Sequence, residues 1–261
     1  MELDDAYANG AHIPGSDAFP PRWQAEAAAF RDGLGRRAEL GLRYGDSARQ
    51  AFDLFHPEGS ARGTVIFVHG GYWRETDRSL WSHLAAGPLA RGWAVAMPSY
   101  DLCPTVPIAA ITRQIATALQ AIAGRTQGPI ALTGHSAGGH LAARMLDPAL
   151  TPPGVAGRLG AVVPISPLSD LRPLLRTSMN ADFGMDEAAA RAESPVLMTD
   201  RHPARVTVWV GADERPVFLD QARWLARAWR AELVIAPDRH HFDVIDPLTD
   251  PESDLVRRLT A

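Results

Sequence analysis

The sequence predicts an α/β fold in which a doubly wound, mostly parallel sheet carries helices on both faces and a small cap at one edge. Three observations lead there. Short apolar runs recur without the polar alternation of a half-exposed strand, the mark of strands buried on both faces. Helix-compatible stretches separate these runs, and alternating β and α elements build parallel sheets through right-handed crossovers. The 261 residues, 46% hydrophobic and 21% charged, also suffice for one large globular domain.

The stretch up to about Pro21 is rich in Gly, Pro, Asn and Asp and reads as an irregular arm. Trp23, Ala27, Phe30 and Leu34 then share one helical face, so residues 1–38 form an arm and a helix. Two short strands follow at Leu40–Tyr44 and Ala51–Phe55, on either side of a Gly45-Asp46 turn. The core strands are expected at Thr64–Val68, Ala94–Met97, Ile130–Thr133, Ala161–Ile165, Val206–Val210 and Leu233–Ile235. Helices are expected at Leu80–Arg91, Ile108–Ala123, Gly138–Leu146, Phe218–Trp229 and Ser253–Leu259. One interval between strands is long. Residues 166–204, with helical pieces at Leu171–Arg176 and Asp186–Ala192, read as a cap inserted over the carboxyl edge of a single 1–261 domain.

Composition removes several function classes. The net charge is −4 and the arginines are scattered, which gives a nucleic-acid partner no electrostatic support. The single cysteine, Cys103, excludes an intrachain disulfide framework and suits a reducing compartment. The acidic opening Met1-Glu-Leu-Asp-Asp does not read as a secretory signal. No window approaches about 18 consecutive apolar residues. A cytoplasmic protein acting on a small molecule, with a homodimer allowed for, is the expectation.

The strongest chemical signal is Gly134-His135-Ser136-Ala137-Gly138, lying between the strand at Ile130–Thr133 and a helix-compatible run. A Gly-x-Ser-x-Gly segment in that setting is a nucleophile elbow, the mark of the α/β-hydrolase fold. The turn is so tight that small residues must stand two before and two after the serine. It projects Oγ at the carboxyl end of the sheet, where the following helix N-terminus favours developing negative charge.

The second signal, His69-Gly70-Gly71-Tyr72-Trp73, directly follows the strand at Thr64–Val68. Acyl transfer passes through an oxyanion, and a glycine pair lets backbone N–H groups point at it. Gly71, Tyr72 and Ala137 are the expected donors. His69 fits a structural hydrogen-bonding group, because in this fold the base follows the serine in chain order.

That order is serine, acid, histidine. His140 sits one turn into the serine's own helix, and His202 comes before the penultimate strand. His240 and His241 follow the last strand and are the candidates for the base. Asp213 and Glu214 follow the penultimate strand and are the candidates for the acid; neighbours on a turn point apart, so only one can serve.

These residues resemble the arylformamidases (kynurenine formamidases), within the hormone-sensitive-lipase-like branch of the α/β-hydrolases. The resemblance is carried by His69-Gly-Gly-Tyr-Trp73, Gly134-His-Ser-Ala-Gly-Gly-His140 and Tyr100-Asp-Leu-Cys-Pro104. Tyr44-Gly-Asp, Phe52-Asp-Leu-Phe-His-Pro57, the run Ser166 to Pro173, and Ser194-Pro195 extend it over most of the chain. In that family the acid stands four residues before a phenylalanine opening the next helix, and the base directly precedes a phenylalanine. Phe218 and Phe242 therefore imply Glu214 and His241. Glutamate departs from the family's more familiar aspartate, which keeps Asp213 in play.

The resemblance implies hydrolysis of N-formyl-kynurenine to kynurenine and formate by Ser136, His241 and Glu214, with no metal or organic cofactor. Short acyl esters or thioesters are the alternative substrates. An aryl formamide needs an aromatic slot, for which Trp73 and Tyr100 are the expected substrate-binding residues, with Tyr72 and Phe183 beside them. Arg172, Arg176 and Asn180 of the cap are the expected partners for an amino-acid end. A ligand-binding protein that lost turnover is a distant rival, since both a base and a carboxylate are present.

Overall fold

A computed structural model describes all 261 residues. Eight strands form one sheet: β1 (Ala38–Arg43), β2 (Ala51–Phe55), β3 (Thr64–Val68), β4 (Ala94–Pro98), β5 (Ile130–His135), β6 (Leu159–Ile165), β7 (Arg205–Gly211) and β8 (Glu232–Ala236). Their order across the sheet is β1-β2-β4-β3-β5-β6-β7-β8. The β1–β2 and β2–β4 pairs are antiparallel, and every other pair is parallel.

The central strands are apolar on both faces because both faces are covered. In β3, Ile66 and Val68 join one hydrophobic cluster, while Val65 and Phe67 join the other. This follows from the two-residue period of a strand. The first cluster is closed by helices Ile108–Ala123, Ala137–Arg144 and Pro216–Trp229. In Ile108–Ala123 the residues Ile108, Ile111, Ile115, Leu119 and Ile122 are buried, the i, i+3, i+4 spacing of an amphipathic helix. The second cluster packs under Phe19–Leu34 and Asp254–Leu259. No helix is long and apolar enough to cross a membrane.

Two expectations about elements need correction. The helix expected over Leu80–Arg91 is instead two 3₁₀ turns, Arg78–Leu80 and Ser82–Ala85, followed by the short helix Ala86–Ala90. Pro88 has no amide to bond the carbonyl of Leu84, so a continuous helix cannot form there. Gly87 also abuts the Leu248 carbonyl oxygen, which a Cβ would approach to 2.5 Å. The arm before Pro21 is ordered rather than irregular. It forms a helical turn at Asp4–Tyr7 and two 3₁₀ turns, and the next helix starts at Phe19, with prolines in its first turn where a missing amide costs nothing. Between β6 and β7, residues 166–204 carry a 3₁₀ turn at Arg172–Arg176 and helices at Asn180–Phe183 and Glu187–Ala192. Asp186 caps the last of these by accepting from the Ala189 amide at 2.8 Å.

Candidate active site

Ser136 lies directly after β5, with φ 56° and ψ −116°, and helix Ala137–Arg144 begins at the next residue. A non-glycine residue held there stores strain, of order 1–3 kcal/mol, which its surroundings must enforce. The glycines show how. A Cβ on Gly138 would come within 2.0 Å of the Val68 carbonyl oxygen, and one on Gly134 within 2.3 Å of that of Gly138. The serine is thus pinned where β3 and β5 run side by side. Its side chain faces a cavity of about 550 Å³ that His135, His241 and Gly71 also line.

The two loops after β7 and β8 meet beside it. Glu214 Oε2 lies 2.6 Å from His241 Nδ1, with both side chains almost wholly buried. The other carboxylate oxygen accepts from the Gly211 amide at 2.9 Å and from the Ser166 hydroxyl. Three donors therefore surround this carboxylate. Asp213 is exposed and makes no ion pair; its amide bonds the Arg239 carbonyl. His240 turns instead toward Asp243, with Nδ1 3.2 Å from Oδ1. Ser136 Oγ makes no hydrogen bond to the imidazole of His241, although both line the same cavity. Such contacts often tighten only when substrate is present.

The turn after β3 runs through Gly71, Tyr72 and Trp73 with φ of 98°, 49° and 55°. Glycine is needed at the first, where a Cβ would meet the Glu75 carbonyl oxygen at 2.5 Å. The Gly71 and Tyr72 amides find no acceptor within the protein. Ala137 opens its helix, so its amide also lacks an intrahelical partner. These are the three positions expected to bind an oxyanion.

The other histidines are built into the frame. His69 stacks on Tyr100 with ring centroids 4.3 Å apart, and its Nδ1 lies 2.9 Å from the Gly70 carbonyl oxygen. Burial pushes its pKa down to about 4. His140 Nε2 lies 2.7 Å from the Glu193 carbonyl oxygen, and burial pushes this imidazole to about 3. His135 packs against His241, and burial followed by that neighbour holds it well below the ordinary imidazole range. His202 bonds the Ala156 carbonyl oxygen at 2.8 Å.

Of the expected binding residues only Tyr72 lines the cavity, and the other six lie elsewhere. Trp73 and Tyr100 are fully buried and do not line the cavity: Trp73 packs edge-on against His140 and Phe183, and Tyr100 donates to the His69 carbonyl oxygen at 2.9 Å. They support the turn after β3 from behind. The aromatic wall comes instead from Trp23, Trp81 and Phe242, with the two indoles 4.7 Å apart. Arg172 and Arg176 are taken up by Asp170 and Glu2, away from the cavity. Asn180 bonds the Met185 backbone. Arg74, held 2.7 Å from Asp182, is the arginine that does line the cavity.

Sequence reasoning missed Ser166, whose positive φ of 47° aims it at Glu214, and the arm residues Tyr7 and Asn9 that line the cavity. Ser166 had one usable signal, its place at the end of a core strand beside β5. The arm had none.

Comparisons with known proteins agree with this fold. Residues 65–236 match a family model described as an alpha/beta hydrolase fold. The chain is 30% identical to a kynurenine formamidase of Drosophila melanogaster, over 84% of this chain and 79% of that one. It is 26% identical to a kynurenine formamidase of Danio rerio, over 88% and 89% respectively. A solved structure from Silicibacter sp. TM1040, provisionally described as a thioesterase, is 63% identical over the full length of both chains, with a TM-score of 0.99. Esterase B of Lactobacillus rhamnosis, at 21% identity and a TM-score of 0.69 over 94% of this chain and 92% of that one, shares the fold. The chain belongs to the alpha/beta hydrolase family, as an arylformamidase-like hydrolase.

Proposed function

We propose that this hydrolase cleaves a small acyl substrate, with an aryl formamide such as N-formyl-kynurenine preferred, through an acyl-enzyme on Ser136. In this reading His241 accepts the Ser136 proton as Oγ attacks the formyl carbon. Glu214 holds the imidazole in the tautomer that leaves Nε2 free to accept, and stabilises the imidazolium. The Gly71, Tyr72 and Ala137 amides bind the oxyanion. The imidazolium then protonates the departing aryl amine. Water, deprotonated by the same imidazole, releases formate and restores Ser136.

The observation that carries this reading is the Glu214–His241 pair at 2.6 Å, on a cavity that also exposes Ser136. The aryl preference is supported by the Trp23, Trp81 and Phe242 wall and by the kynurenine formamidase relatives. A thioester is the second reading, favoured by the description of the Silicibacter structure. A panel of formanilides, short p-nitrophenyl esters and acyl thioesters, compared by kcat/KM, separates them. A formanilide preference is expected; a thioester preference would replace the formamidase reading and leave the serine mechanism standing.

A further inference from the structure

The N-terminal arm does more than cover the surface. Asp4, Tyr7, Ala8, Asn9 and Gly10 line the same cavity as Ser136 and His241. Tyr7 is 2% exposed and Asn9 7%. The Tyr7 phenol accepts from Gln221 Nε2 at 3.1 Å, and its ring meets Phe218 edge-on. The Tyr7 carbonyl oxygen accepts from the Tyr72 phenol at 2.7 Å, so the arm is tied to the oxyanion turn. At its far side the arm reaches the residue after His241: a Cβ on Gly10 would lie 3.9 Å from the Phe242 ring.

Leu3 and Ala6 pack part-buried against the core, and the arm's ion pairs are outer ones. Asp5, with its side chain 78% exposed, pairs with Arg215 at 2.8 Å, and Asp4 accepts from the Ser178 amide at 2.6 Å. Exposed ion pairs hold a segment weakly. Tyr7 is therefore the buried anchor of a roof that spans from the oxyanion turn to the base loop.

We propose that this arm, anchored by Tyr7, is the selectivity element of the enzyme and sets the size of substrate that reaches Ser136. The inference rests on the serine-hydrolase reading of the site. A compact aryl or short acyl substrate fits beneath the roof. A long acyl chain or a bulky leaving group must lift it, and so must break the Tyr7 anchor. Asn9 fills the same roof and contributes less.

The test uses the full chain and two series of substrates: p-nitrophenyl esters from acetyl to octanoyl, and acetyl esters from p-nitrophenyl to larger polycyclic leaving groups. The wild type should lose kcat/KM steeply along at least one series. In that series Tyr7→Ala should raise the large-to-small ratio by about tenfold or more, since pocket closure discriminates by that order. Asn9→Ala should shift the ratio the same way by less, and covers the case in which Tyr7→Ala does not fold. Tyr7→Phe, which keeps the ring, should restore a ratio near that of the wild type. A purely structural role would lower all rates by one factor and leave the ratio unmoved. Ratios unchanged in both Tyr7→Ala and Asn9→Ala would overturn the proposal, as would a wild type indifferent to size. Absence of hydrolysis of every ester and formanilide would instead sink the reading of Ser136 itself.

Discussion

Replacing Glu214 by glutamine tests the assignment of the acid with little change of shape. The carboxylate accepts three hydrogen bonds, from His241 Nδ1, the Gly211 amide and the Ser166 hydroxyl. A carboxamide has one accepting oxygen, so neither orientation satisfies all three donors. With its oxygen toward Gly211 and Ser166, its NH₂ faces Nδ1 and drives the imidazole to the tautomer that cannot take the serine proton. With its NH₂ turned the other way, a buried amide loses its acceptor, at about 1–3 kcal/mol. In both cases the charge opposite the imidazolium is gone. The expected fall in kcat is ~10²–10⁴-fold, equal to about 3–5 kcal/mol of transition-state stabilisation. The assay is kcat at saturating substrate, so that a change in KM is not read as lost chemistry, with a melting curve to confirm folding. Asp213→Asn is the control: its side chain is exposed and unpaired, and kcat should stay within about tenfold of the wild type. A folded Glu214→Gln enzyme with kcat within about tenfold of the wild type, or a larger loss in Asp213→Asn, would refute the assignment.

Other outcomes follow from the same geometry. His241→Ala should lower kcat by several orders of magnitude, and His240→Ala far less, because His240 turns toward Asp243; reversed effects would exchange their roles. Gly138→Ala should destabilise the fold by about 3 kcal/mol or more, since its Cβ would sit 2.0 Å from the Val68 carbonyl oxygen and both partners are backbone; an unchanged denaturation midpoint would contradict the packing. Acid should weaken the fold early. Burial lowers His69 to about 4 and His140 to about 3, so the unfolded chain binds protons that the native one excludes. Their contribution is intact above about pH 6.5, then is lost as pH falls toward about 4 for His69 and about 3 for His140, with a slope near 1.4 kcal/mol per pH unit for each histidine. Equal thermal stability at about pH 7 and about pH 5 would count against this.

Much of the architecture was legible because its signals are local. Strands such as Thr64–Val68 need apolar side chains on both faces, and Gly134 and Gly138 are required by contacts on either side of one serine. Glu214 and His241 were narrowed by chain order to neighbouring pairs, and the family pattern then chose one from each. What stayed hidden depends on distant segments meeting. Trp23 looked like one residue on the apolar face of a helix, and Trp81 like part of another helix; their 4.7 Å contact at the cavity wall has no signature in either segment. Trp73 and Tyr100 misled for the opposite reason. Lying next to the chemistry in sequence, they point behind the turn they support. The arm was read as irregular because Gly, Pro, Asn and Asp break regular structure, and composition does not say what a non-helical segment covers.

The central claim is that Ser136 is the nucleophile, and covalent labelling tests it most directly. Intact mass followed by peptide mapping after treatment with a fluorophosphonate should show a single adduct, on Ser136. Ser136→Ala should take up no label, stay folded, and lose ~10⁴–10⁶-fold in kcat. A label on another residue, or an alanine variant that still turns over, would contradict the account.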